Sequence, residues 1–200
     1  MVLRLKPDKK EEKDRIREEL LRAALRLGAA HGFASLGLRE VAREADIAPT
    51  SFYRHFEDME ALGLSLVRDK VEPLLREWVE AFERSEDEPV ELIDTLFRSV
   101  DRDPELARFL VAERVGASAV LRTALRDASR TLGEPLLGGV AVSKRSRALL
   151  DAADLVTVLL LDGAAQLLDC TAEGRPALRQ RSLQRLGGAI DTARNVSRKP

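Results

Sequence analysis

Cysteine is nearly absent from this chain, Cys170 standing alone, and histidine occurs only as His31 and His55. Neither an internal disulfide framework nor a cysteine-rich zinc site can be built from that set, so no metal site is expected, and the usage fits a reducing cytoplasm. Aromatic residues make up 4% of the sequence and β-branched alternation is scarce, which argues against a sheet protein. Long hydrophobic runs are also missing: the longest, Leu155 to Leu161, is far short of the roughly 20 residues that cross a bilayer. The N-terminal Arg4, Lys6, Lys9 and Lys10 are followed by Glu11, Glu12 and Asp14 rather than by an apolar stretch, so no signal peptide is expected and no membrane partner. Net charge is −1, and residues 1–60 carry twelve basic and twelve acidic side chains. Any contact with a polyanion must therefore depend on local placement of charge rather than on a bulk field. No nucleophile elbow, phosphate loop or metal-binding triad appears, and no catalytic residue or cofactor is expected.

What is present is 44% hydrophobic content, enough for a core, in a sequence dominated by helix-favouring Leu, Ala, Arg and Glu. Ile16, Leu20, Ala23, Ala24, Leu27 and Ala30 recur at three- and four-residue steps, predicting a helix over 10–31 that Gly32 ends. A short helix fits 38–45, with Gly37 before it and Leu38, Val41, Ala42 and Ala45 as its apolar stripe. The chain then turns at Asp46, Ile47 and Ala48, Asp46 taking a left-handed conformation, and Pro49 opens a helix predicted to run to Phe56. In that helix Phe52 and Phe56 point inward, leaving Thr50, Ser51, Tyr53, Arg54 and His55 outside. A long helix is predicted from 58 to 84, bent near Pro73, and Ser85 to Pro89 is a polar break. Further helices are expected at about 90–101, 104–115, 118–133, 144–171 and 176–196. The fold class is all-α, in two parts: a helix-turn-helix domain over 1–58 and a helical ligand-binding and dimerisation domain over 59–200.

The stretch from Phe33 to Phe56, with Arg39-Glu40-Val41-Ala42-Arg43-Glu44-Ala45 and Ala48-Pro49-Thr50-Ser51-Phe52-Tyr53-Arg54-His55-Phe56, closely resembles the DNA-binding signature of the TetR family. The resemblance spans roughly residues 12–66. Within the family it is most similar to fatty-acid-biosynthesis repressors of the FabR and DesT type, because these segments and the following Leu62-Gly63-Leu64 recur there. A shorter resemblance lies in Glu113-Arg114-Val115-Gly116-Ala117-Ser118 with Arg122. The family implies a homodimer that binds a palindromic double-stranded DNA operator, and a small hydrophobic effector, a fatty acyl-CoA thioester for the type named. A short helix of this kind can enter the major groove with the preceding helix lying across the backbone. Thr50 and Ser51 are then candidates for base contacts, and Pro49 for a thymine methyl. Tyr53, Arg54 and His55 would hold phosphates. Arg39 and Arg43 are further phosphate candidates or else solvated face residues. Lys6, Lys9 and Lys10 would add salt-sensitive attraction. Two departures stand out: Asp46 occupies a place where many members have glycine, and Met59 a place where many have a phosphate-binding lysine.

For the effector, Leu92, Leu96, Phe97, Phe109, Leu110, Leu121 and Leu125, together with Leu132, either line an apolar tunnel or simply fill a core. Arg114, Arg122 and Arg126 either meet an anionic head group or form ion pairs with Glu113 or Asp127. The last two helices carry apolar stripes suited to a dimer interface, with Leu149, Ala153, Val156, Leu160, Ala164, Leu167, Leu183, Leu186 and Ile190 as its candidates unless they pack within their own subunit. Two other readings compete with a ligand-controlled repressor: a helical lipid- or acyl-thioester-binding protein with no DNA role, and a thiol hydrolase using Cys170. The first requires Tyr53-Arg54-His55 to be idle. The second lacks a histidine outside the N-terminal module. Cys170, on an apolar helix face, reads as a small buried hydrophobe.

Overall fold

The computed structural model describes residues 9–84, 88–133 and 147–197, which form ten α-helices with short 3₁₀ and π turns between them; among the described residues there is no strand. The helices are α1 (Lys9–His31), α2 (Leu38–Glu44), α3 (Pro49–Phe52), α4 (Met59–Leu66), α5 (Glu72–Arg84), α6 (Glu88–Arg102), α7 (Pro104–Glu113), α8 (Ala119–Ser129), α9 (Arg147–Leu168) and α10 (Arg175–Ser197). Residues 144–146 of the helix expected at 144–171 lie outside the described residues, as do Lys6 and most of the expected loop up to Gly139.

The N-terminal three-helix unit is built on α1, whose Leu20, Leu21, Ala24 and Leu25 are buried against Val41 of α2, Phe52 of α3 and Phe56 beyond it. Helix α2 ends in a Schellman arrangement: the Ile47 N–H donates to the Ala42 carbonyl at 2.8 Å and the Asp46 N–H to the Arg43 carbonyl at 3.1 Å. Closing this motif requires a left-handed residue at the position between, and Asp46 supplies it with φ 54°. Pro49 then stands in the first turn of α3, where its missing N–H has no helical partner to lose.

Regular helix in α3 stops at Phe52, shorter than the predicted run to Phe56. Residues 53–55 continue as turns, with the Arg54 N–H on the Ser51 carbonyl and the His55 N–H on the Phe52 carbonyl, both three residues back. The two phenylalanine rings still anchor the segment, with centroids 5.7 Å apart. Burying such a ring contributes about 1.5–3 kcal/mol, which holds a four-residue helix that could not persist alone.

Helix α4 starts at the Asp58 cap, whose carboxylate accepts the Ala61 N–H at 2.8 Å. Between α4 and α5 lies one π turn, Val67–Val71, in which the Glu72 N–H reaches back to the Val67 carbonyl. Pro73 has no N–H to continue the ladder, and the widened turn sits immediately before it. Where the sequence leads to the expectation of a bend near Pro73, the structure has this π turn. Helix α5 is locked to α6 by the buried Trp78, whose Nε1–H donates to the Ser99 hydroxyl at 2.8 Å, and by the Arg102–Glu77 pair at 2.6 Å. Arg179 of α10 grips Asp94 of α6 through two hydrogen bonds at 2.6 and 2.9 Å, and Arg175 grips Asp101 likewise. The long α9 and α10 pack against each other and against α6, completing the C-terminal bundle.

Candidate functional site

The outer side of the helix-turn-helix unit shows Arg39, Arg43, Pro49, Thr50, Tyr53 and Arg54 exposed, with Ser51 and His55 half-buried. Tyr53 is 65% exposed, a large aromatic presented to solvent beside the buried Phe52, whose ring lies edge-on to it at 5.9 Å. Ser51, Arg54 and His55 line one groove together with Lys9, Glu12, Lys13 and Ile16 of α1. The groove therefore gathers cations from two segments far apart in sequence. Lys13 is an addition: its spacing of four from Lys9 places both on one helix face, a pattern present in the sequence but overlooked beside the more N-terminal lysines. Met59, where a lysine is common, is half-buried against the core and offers no charge.

His55 has a buried Nδ1 without a hydrogen-bond partner among the described residues. Burial first, then the positive charges of Lys13, Arg17 and Arg54, push its imidazole below the ordinary value. Arg17 is committed elsewhere, pairing with Asp69 at 2.6 Å and lying 5.2 Å from the Phe56 ring centroid. The groove thus brings Lys9, Lys13 and Arg54 together against one carboxylate, Glu12, which itself pairs with Arg15 at 2.8 Å.

A second constellation joins the two parts of the chain. Glu113, at the end of α7, is 2% exposed, and its Oε1 accepts the Phe33 N–H at 2.8 Å across 80 residues of sequence. The Phe33 ring stands edge-on to Phe109 with centroids 6.2 Å apart. A Cβ on Gly63 would come within 2.9 Å of that ring and 3.0 Å of Leu121, so α4, α8 and the turn after α1 meet with no room to spare. The Glu113-to-Ser118 motif now has a physical account. Gly116 leaves space for the Glu113 carboxylate, which a Cβ there would strike. Ser118 caps α8 by accepting the Leu121 N–H. Arg122 donates to the Gly116 and Ala117 carbonyls at 2.6 and 2.9 Å, tying the turn down.

Two clefts flank α8. One, of about 360 Å³, is lined by Arg114, Arg122, Arg126, Ser129 and Arg130 with Asp154, Thr157 and Val158 of α9. The other, of about 530 Å³, is lined by Leu64, Val67, Val79, Ala124 and Ala128 among others, and is the more apolar. The expected tunnel residues behave differently. Leu92, Leu96, Phe109, Leu110, Leu121, Leu125 and Leu132 are buried and Phe97 is half-buried, and none of them lines either cleft. They fill a packed core, because interdigitated apolar side chains leave few voids. Arg114 and Arg122 do reach a cleft. Among the described residues Arg114, Arg122 and Arg126 form no ion pair with Glu113 or Asp127: Glu113 serves Phe33, Asp127 pairs with Arg130 at 3.1 Å, and Arg122 is on the Gly116 and Ala117 carbonyls.

The interface candidates also need correction. Ala153, Val156, Leu160, Ala164, Leu167, Leu186 and Ile190 are at most 5% exposed within one chain and Leu183 is half-buried, so these residues hold α9 and α10 to their own subunit. The Leu149 side chain lies outside those described. Facing outward on α9 instead are Leu150, Leu155 and Val158, 38%, 47% and 51% exposed. On α10, Gly187 and Gly188 have nothing within 4 Å of where a Cβ would stand. Cys170 is half-buried rather than buried, its thiol 3.4 Å from the Thr171 carbonyl. No helix among the described residues is long and apolar enough to cross a membrane.

Comparison with known proteins agrees with this geometry. Residues 20–66 match the family described as bacterial regulatory proteins, tetR family. The structure of the whole chain is similar to that of a transcriptional regulator from Rhodococcus sp. Rha1, with TM-score 0.67 and 19% identity, covering 88% of this chain and 96% of that one. It is similar to the transcriptional regulator FadR from Bacillus subtilis in complex with stearoyl-CoA, with TM-score 0.66 and 16% identity, covering 88% and 98%. A TetR family transcription regulator from Marinobacter aquaeolei VT8 aligns with TM-score 0.60 and 20% identity over 92% and 97%. The segment from Leu20 to Leu66 thus matches the model of the tetR family of bacterial regulatory proteins, and the chain shares the fold of these solved transcription regulators.

Proposed function

We propose that this protein is a dimeric transcription regulator, a repressor, that binds a palindromic DNA operator and is controlled by an amphipathic effector of the fatty acyl-CoA type. The observation that carries the DNA reading is the exposed Pro49–His55 segment, anchored from behind by Phe52 and Phe56 and opening onto a cationic groove shared with α1. Thr50, Ser51 and Pro49 meet base edges, while Tyr53, Arg54, His55, Lys9 and Lys13 hold phosphates and set the register. A bound phosphate would favour the protonated His55 imidazole, against the burial and neighbouring cations that lower its pKa.

Dimerisation is supported by the apolar outward residues of α9 and the bare glycine face of α10. Two copies would present their recognition segments about one helical turn of DNA apart, ~34–36 Å, so that an effector changing their separation lowers affinity without touching DNA. The acyl-thioester reading draws support from the stearoyl-CoA complex of the Bacillus subtilis protein and from a basic cleft and a more apolar one on opposite flanks of α8. The test is fluorescence anisotropy with duplexes taken from upstream of the protein's own gene. Wild type is expected to bind one of them, and Tyr53→Ala to bind it at least tenfold more weakly while remaining dimeric. Undiminished binding by Tyr53→Ala would reject the assignment of the recognition segment, and the lipid-binding alternative would stand if no duplex were bound at all.

A further inference from the structure

The cleft between α7, α8 and α9 holds four arginines, Arg114, Arg122, Arg126 and Arg130, against one carboxylate, Asp154. Two of the four are already occupied, Arg122 by the Gly116 and Ala117 carbonyls and Arg130 by Asp127. Arg114 and Arg126 have no partner among the described residues. Arg114 is half-buried and desolvation lowers the pKa of its guanidinium, so its charge is held away from water without a counter-ion. Such an arrangement is unfavourable unless something anionic completes it. Ser129, 3% exposed and part of the same lining, has a hydroxyl with no hydrogen-bond partner. A buried hydroxyl normally finds one.

These features point the same way. A cavity of about 360 Å³ falls in the range of small-molecule sites, and forked guanidiniums match the oxygens of a phosphate in geometry as well as charge. From this we infer that the cleft is a binding site for a phosphate-bearing small molecule, with Arg114 and Arg126 supplying charge and Ser129 a hydrogen bond. The inference rests on the effector-controlled reading above and names the polar half of that effector's recognition: the acyl part is served by other surfaces, the phosphates here. Arg114 follows Glu113 directly, so an occupant that draws in this guanidinium acts one residue from the bond that holds Phe33.

The experiment is calorimetric titration of the full chain, without DNA, with inorganic pyrophosphate and in a parallel arm with coenzyme A, at low ionic strength. Saturable binding of one pyrophosphate per chain is expected, weakened at least tenfold by Arg126→Gln and a few-fold by Ser129→Ala. Arg108→Gln, an exposed residue outside the cleft, should leave it unchanged. Asp154→Asn removes the one opposing charge and should tighten binding about two- to fivefold, the size of an exposed charge interaction; a gain cannot come from misfolding. Coenzyme A binding more tightly than pyrophosphate assigns the site to a nucleotide diphosphate, and equal binding assigns it to simple phosphates. Either supports the site if Arg126→Gln abolishes it. Absence of saturable binding, wild-type affinity in Arg126→Gln, or an equal loss in Arg108→Gln would overturn the inference. Because no DNA is present, these outcomes are independent of whether the operator reading holds.

Discussion

Replacing Glu113 by alanine removes the acceptor of the Phe33 N–H, in a place where both residues are nearly inaccessible to solvent. A hydrogen bond to a charged group is worth about 1.5–3 kcal/mol, and a buried donor left without a partner forfeits most of that. For a chain of this size each kcal/mol displaces the melting midpoint by about 2–4 °C, so Glu113→Ala should melt about 3–12 °C below wild type. The assay is thermal unfolding by circular dichroism at one fixed protomer concentration, since dimerisation makes the midpoint concentration-dependent. Glu113→Gln is the informative partner: its amide oxygen still accepts from Phe33, and most of the loss should be recovered. If the alanine and glutamine variants fall equally, or the alanine variant falls by less than about 2 °C, the bond between the two parts of the chain is not the anchor described above.

Other consequences are measurable. Between the ordinary imidazole value and the lowered value of His55, the unfolded chain holds a proton that the folded chain lacks; stability should therefore fall as pH drops through that window, and His55→Gln should lessen the fall in urea titrations. A DNA phosphate reverses the sign, so operator affinity should rise between pH 7.5 and 6 in wild type and stay flatter in His55→Gln. Asp46 holds φ 54°, which glycine adopts without strain, so Asp46→Gly should stabilise by about 0.5–1 kcal/mol in urea unfolding, and a loss would contradict the turn geometry. A Cβ at Gly188 has nothing within 4 Å among the described residues, so Gly188→Leu should raise helix propensity by about 0.8–1 kcal/mol. In sedimentation it should nevertheless yield monomers, whereas an intact dimer would place the interface elsewhere.

Much of this architecture was legible in the chain because three-to-four-residue periodicity reports which helix face is buried. It places α1, α2 and the described segments after Pro89 closely, and the tolerance of Asp for left-handed backbone points to Asp46. Periodicity does not report what covers the buried face. Leu160 and Leu186 look the same whether they face a second subunit or their own, and Leu96 and Phe109 look the same in a tunnel or in a core. The tether between Glu113 and Phe33 was invisible for a different reason: it joins residues 80 apart, and nothing local at either end requires the other. The π turn before Pro73 is a compromise between the missing N–H and the packing of α4 and α5, and only the proline half of it is written locally.

In the proposed complex the turn following Phe52 meets DNA phosphates through Arg54. The direct measurement is operator affinity against salt concentration for wild type and Arg54→Ala, since each phosphate contact contributes about 0.9 to the slope of log affinity on log salt. Arg54→Ala should flatten the slope by about one contact per subunit while the dimer stays intact. Identical slopes, with affinity unchanged, would contradict it.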